Sequence, residues 1–178
     1  AEVLADRMGR HFAKRHDVLY ACLDDVGELG LKLQEDGFHV ECLQRGEGID
    51  FACARRLRDF LREHSVDVVH AHQYTPFFYA AASRRLSSLP PIVFTEHGRF
   101  HPDYPSWKRG MFNRAMLGRR DRVIAVGNQV KQALIDNEFI PSRRVEVIYN
   151  GIDLCPFNET IAECERRELR IALGLPED

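Results

Sequence analysis

A short apolar run that leads directly into a cluster of functional groups, at residues 91–99, constrains the fold of this chain more than any other segment. A run of this kind, bounded by proline and glycine, predicts a strand buried on both faces of a parallel sheet. In open α/β sheets, ligands bind beyond the carboxyl ends of the strands. The residues at that end are therefore the first candidates for a binding site: Thr95, Glu96, His97, Gly98 and Arg99.

Three further strands end in polar or glycine residues. The β-branched segment 66–72 ends in His70 and His72, which share one face because strand side chains alternate. Because the carboxyl ends of parallel strands meet at one edge, we expect that edge to be the working face of the sheet. The segments 123–126 and 145–149 bring the remaining candidates to it: Gly127, Asn128, Asn150, Gly151 and Asp153.

The order of the predicted elements indicates the fold class. Apolar strands alternate with helices of about ten to fifteen residues, which is typical of right-handed crossovers and a parallel sheet. We therefore predict a doubly wound α/β fold. Besides the strand in 91–99, the predicted strands are 18–23, 38–43, 66–72, 123–126 and 145–149, and the predicted helices are 1–13, 28–36, 50–64, 76–86, 106–117, 128–137 and 159–173.

Composition narrows the class of protein. A chain of 178 residues suits one domain with a real core, and its net charge of −2 argues against general nucleic-acid binding. No apolar run approaches the ~18 residues of a membrane span. The five cysteines are irregularly spaced and include no Cys-x-x-Cys pair, so we expect reduced thiols and a cytoplasmic location.

His97 is the strongest candidate for chemistry. Its ordinary pKa suits a general acid or base, or a donor to a sugar hydroxyl or phosphate. A metal site built with His70 and His72 is disfavoured, because no supporting cysteine or carboxylate pattern is evident. We expect His72 to face substrate and His70 to pack beneath it.

The segment 99–122 is basic, with seven Lys or Arg residues. Within it, apolar side chains recur on one helical face, which is typical of a helix that contacts an anionic membrane. A crossover helix packed on the sheet explains the same pattern, and we favour it because every helix of this fold buries a face. The face comprises Trp107, Met111, Phe112, Ala115 and Met116.

Four segments together resemble the acceptor-side half of a GT-B glycosyltransferase of family 4. They are 66–72, 94–99, 123–127 and, as the most specific, 147–153 with Asn150-Gly151-Ile152-Asp153. The resemblance extends over residues 1–153. No glycine-rich dinucleotide fingerprint, phosphate loop or Gly-x-Ser-x-Gly elbow competes with it.

The resemblance implies two Rossmann-like domains that face each other across a cleft. The N-terminal domain holds a glycan or lipid-linked acceptor, and the C-terminal domain holds a nucleotide-sugar donor as co-substrate, with no other cofactor. Transfer is expected to be retaining and metal-independent, as in polysaccharide biosynthesis. His97 would lie beside the transferred sugar, and Asn150-Gly151 near the hinge. Residues 154–178 would form a linker and helix leading to a donor domain that this chain lacks, so the fragment alone is expected to be inactive.

The resemblance also implies a strand and glycine-rich turn ahead of Ala1, in the middle of the sheet. We therefore expect a gap between the strands 18–23 and 66–72. Two other functions stay open. A non-hydrolysing nucleotide-sugar epimerase shares the architecture, although the ending at 150–153 disfavours it. A non-catalytic glycan- or partner-binding module is the other. If 107–122 contacts lipid, the protein would be peripheral at the inner membrane face.

Overall fold

The computed structural model describes residues 1–84, 90–98, 104–152, 154 and 163–176, and within them helices alternate with strands. The helices are α1 (Glu2–Phe12), α2 (Gly27–Glu35), α3 (Phe51–Glu63), α4 (Tyr74–Arg84), α5 (Trp107–Met116), α6 (Asn128–Glu138) and α7 (Glu163–Ala172). The strands are β1 (Leu19–Cys22), β2 (His39–Cys42), β3 (Val69–His72), β4 (Ile92–Glu96), β5 (Arg122–Ala125) and β6 (Val145–Val147), the last preceded by a 3-10 turn, Ser142–Arg144.

The strands form two parallel sheets. β1 pairs with β2, and the second sheet has the order β3-β4-β5-β6. This arrangement confirms the predicted α/β fold with parallel strands. Among the described strands, β1 and β3 do not pair with each other, so the break in hydrogen bonding expected between them is present.

Alternation along β3 and β4 sorts their side chains onto two faces. Ala71 and Phe94 are paired in the register and buried, and they belong to the apolar core with residues of α3 and α4. In the same ladder His70 pairs with Val93 and His72 with Thr95, so both histidines lie on the opposite face. The sheet thus separates the packed core from the functional side chains.

Two polar residues fix the elements that carry this sheet. Asp50 caps α3, since its Oδ1 accepts hydrogen bonds from the backbone N–H groups of Ala52 (2.7 Å) and Cys53 (3.1 Å). Asp121, buried at the start of β5, binds Arg84 at the end of α4 through both carboxylate oxygens, at 2.6 and 2.8 Å. Asp50 therefore stabilises the start of α3, and Asp121 links the end of α4 to the start of β5.

Three predicted boundaries or faces need correction. α4 begins at Tyr74, before Pro76, because proline is tolerated throughout the first helical turn, where its missing N–H has no partner to lose. β6 ends at Val147 and not at Tyr149. Ile148 still donates to the carbonyl of Ala125 at 3.0 Å, but its side chain and that of Tyr149 are exposed.

The buried face of α5 differs from the predicted apolar stripe. Gly110 and Asn113 are buried, whereas Trp107 and Met111 are 66% and 63% exposed. Gly110 lies against Phe139, so close that a Cβ atom there would stand 2.6 Å from the ring. This close approach turns the helix and leaves part of its apolar stripe in solvent.

Candidate functional site

Three histidines form a continuous cluster at the carboxyl edge of β3 and β4. The rings of His70 and His72 stack with centroids 4.1 Å apart, and those of His72 and His97 stack at 5.3 Å. Nδ1 of His72 lies 3.0 Å from Nε2 of His97, and Nε2 of His70 lies 2.8 Å from Oγ1 of Thr95. The two residues predicted to face substrate, His72 and His97, are therefore hydrogen-bonded to each other.

The surroundings of the cluster keep it uncharged near neutral pH. Burial, reinforced by the neighbouring His70 and His97, lowers the pKa of His72 to about 3. Burial also lowers the pKa values of His70 and His97. A hydrogen bond between two neutral imidazoles needs one donor and one acceptor nitrogen. The tautomers of His72 and His97 are therefore coupled, because the ring that donates fixes the other ring as the acceptor.

Glu96 and Gly98 shape the turn that presents His97. The carboxylate of Glu96 is buried, and its Oε1 accepts a hydrogen bond from the N–H of Gly98 at 3.2 Å. Gly98 has φ +92°, a conformation that favours glycine. Thr95 is buried as well, beside His70. Glu96 thus fixes the turn that follows His97, and Thr95 bonds His70 on the face of the sheet that carries the histidines.

Gln73 is a site residue that the sequence reasoning missed. It follows His72 directly and has φ +76°, which is strained for a residue with a side chain. Its backbone N–H donates to the carbonyl of Thr95 at 2.8 Å, and its Nε2 donates to the carbonyl of Gly98 at 3.4 Å. Its position directly after a strand that ends in histidine could have marked Gln73 as a candidate site residue. Glutamine as a residue type, however, does not indicate a strained backbone.

A second group of predicted residues lies at the ends of β5 and β6. Nδ2 of Asn128 donates to the hydroxyl of Tyr149 at 3.1 Å, and a Cβ atom at Gly127 would lie 3.7 Å from the same ring. Asn150 and Gly151 follow and are exposed. Tyr149 was not predicted as a site residue, although it precedes the most specific motif of the chain.

The two groups are neighbours along the sheet edge. Gly98 lies against α6, because a Cβ atom there would be 3.6 Å from Cγ2 of Val130. Two predicted site residues, Arg99 and Asp153, lie outside the described residues. The described candidates therefore occupy a single edge, formed by the carboxyl ends of β3 to β6.

The described residues contain neither a membrane-spanning helix nor a cluster of metal ligands. No helix among them is long and apolar enough to cross a membrane. No set of three or more histidine, cysteine, aspartate or glutamate side chains in the described ranges is arranged to hold a metal ion. Cys22, Cys42 and Cys53 are free thiols.

This parallel α/β fold, with its histidine-lined edge, is that of the N-terminal domain of a GT-B protein. Residues 1–155 match the family described as Glycosyltransferase Family 4, and the chain belongs to that family. Among curated relatives, an uncharacterized glycosyltransferase of Methanocaldococcus jannaschii is 26% identical over 117 residues, which cover 63% of this chain and 30% of the relative.

Two solved structures share the fold. A glycosyltransferase from Rickettsia africae superposes with a TM-score of 0.79 at 20% identity, covering 98% of this chain and 46% of that one. Anabaena Alr3699/HepE, solved in complex with UDP, gives a TM-score of 0.75 at 18% identity, covering 97% of this chain and 46% of the other. The chain thus spans less than half the length of each of these proteins.

Proposed function

We propose that this chain is the acceptor-side half of a glycosyltransferase that moves a sugar from a nucleotide-sugar donor to a glycan or lipid-linked acceptor. The observation that carries the proposal is the family match over residues 1–155. The UDP bound to the Anabaena neighbour favours a nucleoside diphosphate sugar as the donor, bound by a second domain. Retention of anomeric configuration and independence from metal are part of the proposal.

In this proposal His97 contacts the transferred sugar as a neutral imidazole. Its lowered pKa disfavours a cationic acid, and its Nε2 is engaged with His72. Nδ1 of His97 is therefore the atom offered to a sugar hydroxyl. Asn128, Tyr149 and Asn150 lie farther along the same edge and would face the cleft, and Arg99 and Asp153 keep the substrate-binding roles predicted for them.

The proposal is tested in the enzyme in which this chain is joined to its donor-binding domain. His97→Ala should lower turnover by about 10²–10⁴-fold, the usual loss when one positioned proton donor or acceptor is removed. The thermal midpoint should change little, since His97 lies at the sheet edge and outside the core. Sugar transfer from a panel of nucleotide sugars gives the turnover, and His16→Ala, on the exposed turn after α1, is the matched control. Near-normal transfer by His97→Ala would remove this residue from the site.

Packing on the sheet was the favoured explanation of the apolar face in 107–122, but part of that face is exposed. We therefore also propose a cytoplasmic protein that contacts the inner membrane face peripherally through 107–122. The exposed Trp107 and Met111 lie on the same helix as the exposed cations Lys108 and Arg114. Binding to anionic vesicles should weaken as salt rises, because screening shortens the reach of these charges to ~8 Å at physiological ionic strength. Sedimentation at low and high salt, with neutral vesicles as control, measures this. Absence of binding at low salt would contradict it.

A further inference from the structure

A groove of about 440 Å³, lined by residues outside the histidine cluster, has no role in the site described so far. Its walls come from the loop between β2 and α3, the first turns of α4 and the first half of α5. These three segments follow the carboxyl ends of β2, β3 and β4, so the groove lies at the same edge of the fold as His72 and His97. Its volume is in the range of small-molecule sites.

The groove is apolar inside. Phe78 of α4 and Phe112 of α5 line it and stack on each other with centroids 4.7 Å apart. Ile49 also lines it and is 65% exposed, so it extends the apolar surface of the groove toward solvent. The hydroxyl groups of Tyr74 and Tyr79 are already bonded to Asn113 and to the backbone at Gly48 and Asp50. Few groups are left to bind the hydroxyls of a glycan.

The charges on the groove have one sign. Arg45, Lys108 and Arg109 are its charged lining residues, and no carboxylate of the described chain lines it. Arg45 is balanced by Asp24, which it binds at 2.7 and 2.9 Å. Lys108 has no ion-pair partner among the described residues. An apolar groove with a cationic rim complements a hydrocarbon chain that carries an anion.

We infer that this groove binds one molecule of a lipid phosphate, with the hydrocarbon chain along Ile49, Phe78 and Phe112 and the phosphate at Lys108. This inference rests on the proposed function, for which it names the acceptor class: a lipid-linked acceptor and not a soluble glycan. The groove holds the carrier, and the histidine edge receives the group to be glycosylated. Binding itself needs neither donor nor transfer, so it is measurable without either.

Dodecyl phosphate below its micellar concentration is the probe, titrated into the 178-residue chain. Trp107, the single tryptophan, precedes Lys108 on α5 and reports binding by fluorescence, and amide shifts of Thr75 and Phe78 report it independently. Saturable binding is expected for dodecyl phosphate, and much weaker binding for inorganic phosphate and for uncharged dodecyl maltoside. Equal affinity for dodecyl maltoside would overturn the phosphate assignment.

Matched variants locate the site. Lys108→Glu and Ile49→Asp should each weaken binding by about tenfold or more, since each removes a contact to the head group or the chain. Arg114→Glu, exposed on the same helix but outside the groove, should leave affinity unchanged. Thr75→Phe, at an exposed groove position, should block binding even if Ile49→Asp folds poorly. Equal weakening by Lys108→Glu and Arg114→Glu would show non-specific charge attraction and overturn the inference. If binding fails while sugar transfer to a soluble glycan is measured, the inference falls and the proposed function stands.

Discussion

At the scale of single residues, the hydrogen bond between Nδ1 of His72 and Nε2 of His97 joins the carboxyl ends of two neighbouring strands. Residue order alone placed His72 and His97 at one edge, because polar groups that end apolar strands meet there. Their 3.0 Å hydrogen bond depends on the register between β3 and β4, which pairs His72 with Thr95. Register is a tertiary property, and no residue pattern in either strand specifies it. The strained backbone of Gln73 has the same origin.

The buried histidines should make stability depend on pH. His72 has a pKa of about 3 when folded, against about 6.5 in an unfolded chain. The unfolded state therefore takes up the proton first, so the stabilisation is complete above pH ~6.5 and is lost as the pH falls toward 3. The free energy of unfolding should fall by up to ~1.4 kcal/mol per pH unit in that window, less what solvent screening removes.

Urea unfolding at neutral and acidic pH measures this dependence. His72→Gln should flatten it, since glutamine takes up no proton, and His16→Gln on the exposed turn after α1 is the matched control. His70 and His97, whose pKa values are also lowered, keep part of the slope in the variant. An identical slope in the wild type and His72→Gln would contradict the assignment.

At the scale of elements, strands and their order were predictable and helix faces were not. A buried parallel strand is a continuous apolar run, so its position is visible in the sequence. The capping role of Asp50 was equally visible, because the cap depends on residues close in sequence. The rotation of α5 depends on what α6 presents to it, here Phe139 against Gly110. The apolar stripe of α5 is larger than the surface that packs against it, so the sequence alone does not indicate which part of the stripe is buried.

Asp121 holds three element ends, and its loss should be costly. Burial alone would raise its pKa, but hydrogen bonds from Arg84 and from the backbone N–H groups of Ile92 (3.0 Å) and Gly118 (2.7 Å) outweigh that and lower it. Asp121→Asn removes the charge and leaves the Arg84 guanidinium without its carboxylate. Removing one partner of a buried pair costs about 3–5 kcal/mol, and the lower end applies here because Arg84 is partly exposed.

Chemical denaturation at neutral pH checks this expectation. Asp17→Asn, at an exposed position between α1 and β1, serves as the control for the chemical change alone. A loss for Asp121→Asn no larger than that of the control would show that the pair contributes specificity and not stability.

At the scale of the whole molecule, the sheet is divided between β1 and β3. In β3, the N–H groups of Val69 and Gln73 donate toward β4, to the carbonyls of Pro91 (3.1 Å) and Thr95 (2.8 Å). Successive peptide groups of a strand point to opposite sides, so the N–H groups of His70 and His72 point away from β4. β1 pairs with β2 and not with β3, so the backbone donors beneath the histidine cluster face the gap. An unpaired buried group costs about 1–3 kcal/mol, so donors left without acceptors at this edge weaken the sheet there.

Hydrogen exchange should reveal this edge directly. In the 178-residue chain the amides of His70 and His72 should exchange faster than that of Ala71, by about tenfold or more. The reason is that the N–H group of Ala71 points toward β4, as those of Val69 and Gln73 do, whereas those of His70 and His72 point away from it. β4 is the internal control: it pairs with β3 on one side and β5 on the other, so the successive amides of Phe94 and Thr95 should exchange at similar rates.

Joining one further apolar strand ahead of α1 should slow His70 and His72 to the rate of Ala71, because a strand in the gap supplies the acceptors that β1 does not. It should also raise the free energy of unfolding. If His70 and His72 are already as protected as Ala71 without that strand, the gap is closed in solution by the rest of the chain, and β1 and β3 meet in a way that the strand pairing does not indicate.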